Sequence, residues 1–107
     1  MRGIPFALQT AGTAAANGTI AAIPQSFKRH KVTIKGSAGV ASGAVQVETA
    51  NAPDYTGTWQ PIGGGPITVT ASQEDMVDFE GVYAFIRARI STDVVGGTVD
   101  VEYLGGF

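Results

Sequence analysis

Apolar and polar positions alternate along this chain in short runs of period two, separated by clusters of Gly, Pro, Asn and Asp. Neighbouring side chains on a strand point to opposite faces, so each such run predicts a strand with one face buried. The clearest is Val82-Tyr83-Ala84-Phe85-Ile86-Arg87-Ala88-Arg89-Ile90. Its aliphatic set, Val82, Ala84, Ile86, Ala88 and Ile90, is expected inward, and Tyr83, Phe85, Arg87 and Arg89 outward. A turn around Asp93 to Gly97 follows, after which Thr98 to Leu104 alternates again with Val99, Val101 and Tyr103 inward. The two runs are expected to pair as a C-terminal hairpin, with Arg87 and Arg89 beside Asp100 and Glu102 on the shared outer face.

Upstream, Lys31-Val32-Thr33-Ile34-Lys35 and Gly43-Ala44-Val45-Gln46-Val47-Glu48-Thr49 alternate in the same way, joined by the small-residue loop Gly36 to Ser42. The turn Asn51 to Gly57 leads into Thr58-Trp59-Gln60-Pro61-Ile62, where Pro61 predicts an edge strand or its end. Gly63-Gly64-Gly65-Pro66 breaks the chain before Ile67 to Thr70, and a short strand near Met76 to Phe79 precedes Gly81. Near the N-terminus, Ile4 to Leu8 and Thr19 to Ile23 are weaker candidates, with Asn17-Gly18 as a tight turn between them. A helix over Gly12 to Ala16 would be too short to be stable. The pattern predicts seven to nine short strands with turns about every ten residues: an all-β fold, a single antiparallel β-sandwich or jelly roll. The first 27 residues, small and polar, are expected to form an N-terminal arm or loosely attached hairpin, and residues 28–107 the sandwich.

A length of 107 residues suits one domain. Cysteine is absent, so no disulfide or thiolate metal site can hold the fold. The N-terminal stretch lacks the apolar segment of a signal peptide, and no apolar run approaches a membrane span, so a protein made and used without secretion is expected. Seven Lys+Arg against nine Asp+Glu give a net charge of −2, which disfavours nucleic acid as a partner. Only 15% of residues are charged, well below the roughly 25% usual in soluble domains, which implies that part of the surface is covered by something else.

Catalysis requires a nucleophile with its base, paired carboxylates or a metal cage. The single histidine, His30, sits in Lys28-Arg29-His30-Lys31 with no triad partner at recognisable spacing and is expected at the surface. The acidic run Glu74 to Glu80 is interrupted by Met76, Val77 and Phe79 and does not match an EF-hand loop. The Gly63-Gly64-Gly65 run lacks the Lys-Ser/Thr ending of a phosphate loop. No enzyme, cofactor or metal is expected.

Candidate interaction residues are easier to name. The outward stripe Tyr83, Phe85, Arg87 and Arg89 contains the residue types enriched where proteins bury surface against one another. Tyr55 and Trp59 flank a glycine turn, where they would stack on a sugar ring or a neighbouring subunit, although a core position suits Trp59 better. Lys28, Arg29, Lys31 and Lys35 form the one basic cluster, suited either to an acidic partner or to a solvated strand face, and Phe107 is an apolar terminus able to tuck into an adjacent chain.

Three stretches together carry a resemblance: Thr13-Ala14-Ala15-Ala16-Asn17-Gly18-Thr19-Ile20; Ala44-Val45-Gln46-Val47-Glu48-Thr49 leading to Gly57-Thr58-Trp59-Gln60-Pro61-Ile62-Gly63; and Val82 to Ile90 with Gly96-Gly97-Thr98-Val99-Asp100-Val101. This pattern resembles small β-sandwich structural proteins encoded among the virion genes of tailed bacteriophages. The resemblance implies a non-enzymatic virion component of the capsid decoration or cement type. Such a protein would bind the major capsid protein at the capsid surface as a dimer or trimer. A tail, fibre or connector component is the alternative, as is a carbohydrate-binding module that uses Tyr55, Trp59 and Tyr83 to hold a glycan.

Overall fold

Every regular element is a strand. The computed structural model describes residues 4–24 and 26–106, and no helix occurs among them. The strands are β1 Ile4–Gly12, β2 Ala21–Ala22, β3 Arg29–Gly36, β4 Ser42–Ala50, β5 Gln60–Thr68, β6 Glu74–Glu80, β7 Phe85–Val95 and β8 Val99–Gly106. They form two antiparallel four-stranded sheets, ordered β1-β8-β3-β6 and β2-β7-β4-β5. The first is called sheet A here and the second sheet B.

This order follows from one folding operation. Doubling the chain back at the loop after β4 pairs β4 with β5, β3 with β6, β2 with β7 and β1 with β8. Rolling that long hairpin places alternate pairs in opposite layers and adds two further pairings, β3 with β8 and β4 with β7. The result is the double Greek key of a jelly roll, as the strand count and spacing predicted.

Between the sheets lies a core whose fully buried members are aliphatic: Leu8, Val32, Ile34, Val45, Val47, Ile86, Ile90, Val99 and Val101. β-Branched side chains suit a pleated surface packed on one face, and the alternation of β3 and β8 is kept along their lengths. β5 is an edge of sheet B, as Pro61 predicted, but it runs on through Gly63-Gly64-Gly65-Pro66, where a break was expected, because an edge strand tolerates residues that cannot complete a ladder.

Several other expectations change. β7 and β8 are not a hairpin: they belong to different sheets, joined by a turn in which Gly96 has φ +88°. Alternation places an apolar face inward but does not say which neighbour a strand pairs with, and in a rolled hairpin only β4 and β5 are both consecutive and paired. β7 also starts later than the pattern suggested. Val82 and Ala84 are exposed while Tyr83 packs against the core, because the segment after Gly81 (φ +124°) is not extended strand and the alternation begins only at Phe85.

The N-terminal residues are not a detached arm. β1 pairs along its length with β8, Leu8 is fully buried, and Ala21, Ile23 and Phe27 join the core. Asn17-Gly18 makes no hairpin turn. This stretch instead runs beside β7, with the Gly18 amide donating to the Ala88 carbonyl and the Ile90 amide to the Ala16 carbonyl, each at 2.9 Å. Gly18 passes so close that a Cβ there would collide with the carbonyl oxygens of Leu8 and Ala88.

His30, finally, is buried rather than at the surface. It alternates inward with Val32 and Ile34, so the charges beside it in sequence point the other way.

Candidate functional site

The outer face of sheet B carries the most organised polar cluster. Glu48 on β4 lies opposite Arg87 on β7, and Gln46 lies opposite Arg89, so the register brings four polar side chains into two adjacent cross-strand pairs. Glu48 accepts from Arg87 Nε at 2.9 Å through Oε1 and from Arg89 Nε at 3.1 Å through Oε2. Gln46 Nε2 also donates to Oε2. The carboxylate is almost fully covered, at 3% side-chain exposure, against 14% for Arg87 and 38% for Arg89.

Trp59 provides part of that cover. It precedes Pro61, the residue opposite Glu48 on the other side of β4, and so shares the outward parity. The Arg87 guanidinium stands 4.1 Å from the Trp59 ring centroid, a cation–π contact that also shields the ion pair from water. The indole N–H donates to the Tyr55 carbonyl at 3.0 Å, which ties the 51–59 loop down over the sheet. Trp59 is therefore buried without belonging to the aliphatic core between the sheets.

Arg87 and Arg89 thus meet Glu48, and not Asp100 and Glu102 as the hairpin expectation required. On sheet A, Asp100 lies opposite Lys35 and its Oδ1 accepts the Ala11 amide at 2.8 Å.

The basic cluster is answered within its own sheet. Arg29, Lys31 and Lys35 on β3 lie opposite Glu80, Asp78 and Glu74 on β6. The outermost pair, Lys35 Nζ to Glu74 Oε1 at 3.8 Å, is largely exposed. The acidic run is therefore a strand with Glu74, Asp78 and Glu80 beside lysine and arginine, while Asp75 falls opposite Ile34. Among the described residues no cluster of His, Asp or Glu could hold a metal ion.

A third cluster closes one end of the sandwich. His30 Nε2 lies 2.8 Å from the Gly81 carbonyl, which can only accept, so Nε2 carries the proton and donates. Nδ1 is then the acceptor for the Tyr103 hydroxyl at 2.6 Å. The ring stacks on Phe79 at 5.0 Å and meets the edge of Tyr83 at 5.4 Å. Burial pushes the Tyr103 phenol up from 10.0 to about 12. These contacts describe a satisfied structural histidine with no free nitrogen for catalysis.

The ten residues singled out from the sequence do not form one surface. Arg87, Arg89 and Trp59 come together on sheet B; Phe85 lies on the same strand at the end that pairs with Ala50. Tyr83 belongs to the His30 cluster. Lys28, Arg29 and Lys31 lead into and lie on sheet A, and Phe107 falls outside the described residues. Tyr55, half exposed, lines an open cleft of about 340 Å³ with Thr49, Asn51, Thr58 and Gln60, in which neither Trp59 nor Tyr83 takes part. Sequence reasoning missed Glu48 and Gln46. Their only signal was that they are the polar outward positions of a strand otherwise made of small and aliphatic residues.

The fold and this cluster define a jelly-roll domain with a built polar patch on one sheet face. No protein-family profile matches the chain, and no curated protein matches it in sequence. Solved structures share its fold. The SPBc2 prophage-derived protein YomS superposes with a TM-score of 0.71 at 17% identity, over 96% of this chain and 91% of that one. The PBSX exported protein XepA gives 0.72 at 14% identity over 97% of this chain, which spans 37% of XepA. The K1 cleaved adhesin domain of Lys-gingipain from Porphyromonas gingivalis W83 gives 0.55 at 13% identity, over 84% of this chain and 60% of that one. At such identities the likeness is one of fold.

Proposed function

We propose that this chain is a non-enzymatic structural protein of a bacteriophage particle, of the kind that decorates and cements the capsid by binding the major capsid protein. The observation that supports this reading is the likeness in fold, over 96% of this chain and 91% of the other, to a prophage-derived protein. The PBSX exported protein XepA carries a similar fold as one part of a longer chain.

The physical character of the domain agrees with it. Charge is concentrated on one sheet, the opposite sheet exposes small residues around an ordered Arg–Glu–Trp patch, and His30 has both nitrogens engaged. A domain of this make-up acts by being bound, and many copies on a shell would cover the sparsely charged side.

Co-sedimentation tests this directly. Purified protein is mixed with capsids from particles whose copy of this gene has been deleted, and the capsids are then heated. Saturable binding with a higher capsid melting temperature is expected. Absence of binding would move the protein to the tail, fibre or connector of the particle.

A further inference from the structure

The two sheet faces handle charge differently. On sheet A each β3 cation has a carboxylate opposite it on β6. On sheet B two guanidinium groups share one carboxylate, and among the described residues no second carboxylate ion-pairs with either. Asp93, the next carboxylate along β7, is occupied by the Ala15 amide at its Oδ1.

The donor count points the same way. Each guanidinium carries five N–H donors, whereas a carboxylate offers about four acceptor sites. At Glu48 one of those is already taken by Gln46. The patch therefore keeps one uncompensated positive charge and several unused donors, on side chains held in place by Glu48 and the Trp59 ring. Arg89 is the member open to solvent. Beside it on β4 the outward position is small, Ala44, so another protein's backbone can approach closely.

We propose that the outer face of sheet B is the docking face, and that its occupant is an acidic protein surface of the shell, whose carboxylates complete the half-compensated Arg87–Glu48–Arg89 cluster. This rests on the shell-binding reading above and specifies its face and its chemistry. The charge excess selects a carboxylate-bearing partner over a second copy of this chain, since two such faces would oppose like charges. The net charge of −2 selects protein over nucleic acid. Arginine suits the task because its planar fork, already oriented, loses little freedom when it pairs with a carboxylate.

The test compares shell binding by the wild type, Arg89→Glu, Arg89→Gln and Lys31→Glu, the last a charge reversal on sheet A. Arg89→Glu is expected to weaken binding about tenfold or more, as for loss of an interfacial charge pair. Arg89→Gln should lie between it and wild type, and Lys31→Glu should stay within about twofold of wild type. Wild-type binding should also weaken as salt rises. Should Arg89→Glu fail to fold, as judged by its melting curve, Arg89→Gln decides, since it keeps the size and a donor. Unchanged binding by the folded Arg89 variants overturns this face and leaves shell binding standing. Absence of wild-type binding removes shell binding itself and this proposal with it. Arg89-dependent binding to duplex DNA, with shell binding unaffected, assigns the arginines to phosphate and also overturns it.

Discussion

Glu48 shows how a residue's environment is made by partners distant in sequence. Buried alone, a carboxylate would cost several kcal/mol; here two guanidinium groups and Gln46 surround it. Glu48→Ala leaves the largely buried Arg87 without its partner and is expected to destabilise the fold by about 3 kcal/mol, the usual cost of removing one member of a buried pair, measurable by urea unfolding. Tyr103 makes a pH prediction. Its phenol binds the proton more tightly folded (about 12) than unfolded (10.0), so its contribution to stability is present below pH 10 and lost as pH rises from 10 towards 12. The loss amounts to about 2–3 kcal/mol at 1.36 kcal/mol per unit. Tyr103→Phe should melt lower than wild type at neutral pH, for want of the hydroxyl bonded to His30, yet lose less stability between pH 10 and 12. Equal alkaline slopes in the two proteins would contradict this.

At the scale of elements, β1 is the informative case. Its sequence carries no charge from Ile4 to Gly12, and it has bulges after Ala7 and after Gln9, with Ala11 at φ +48°. Irregularity of this kind hides the period-two signal that marked β3 and β8. The strand nevertheless places Leu8 at the centre of the core, so Leu8→Ala should cost about 2–5 kcal/mol by calorimetry, as for any buried leucine truncated in a packed interior. A detached arm would show almost no effect. Gly18→Val should be at least as damaging, because the side chain would have to displace carbonyl oxygens of both β1 and β7.

For the whole molecule, the pairing of β1 with β8 joins the two ends of the chain, Phe6 lying opposite Tyr103. Contacts of such sequence separation must be closed before they stabilise anything, so folding is expected in milliseconds to seconds, slower than a helical domain of similar length. One core spans both sheets, and unfolding should be a single transition with coincident midpoints by Trp59 fluorescence and by circular dichroism. Trp59, buried under its loop, should emit at short wavelength and resist quenchers. Early exposure of Trp59 in that experiment would indicate that the 51–59 loop opens separately.

The sequence by itself determined that this is an all-β sandwich, where most of its strands lie and most of the aliphatic residues that face inward, Val82 and Ala84 excepted. Those are local properties: alternation reflects one buried face, although β5 runs on through Gly63-Gly64-Gly65-Pro66 as an edge strand. Pairing is not local. The strand of Arg87 and Arg89 has the same inward pattern whether it lies beside β8 or beside β4, and only the rolled topology chose β4, replacing Asp100 and Glu102 by Glu48. His30 reads as a surface residue from its charged neighbours; its parity on β3 and the arrival of Tyr103 and Gly81 from remote segments made it a buried one. Tertiary structure also separated the nine described candidate residues among the faces of the domain, because partners on different strands become neighbours only once the sheets have formed.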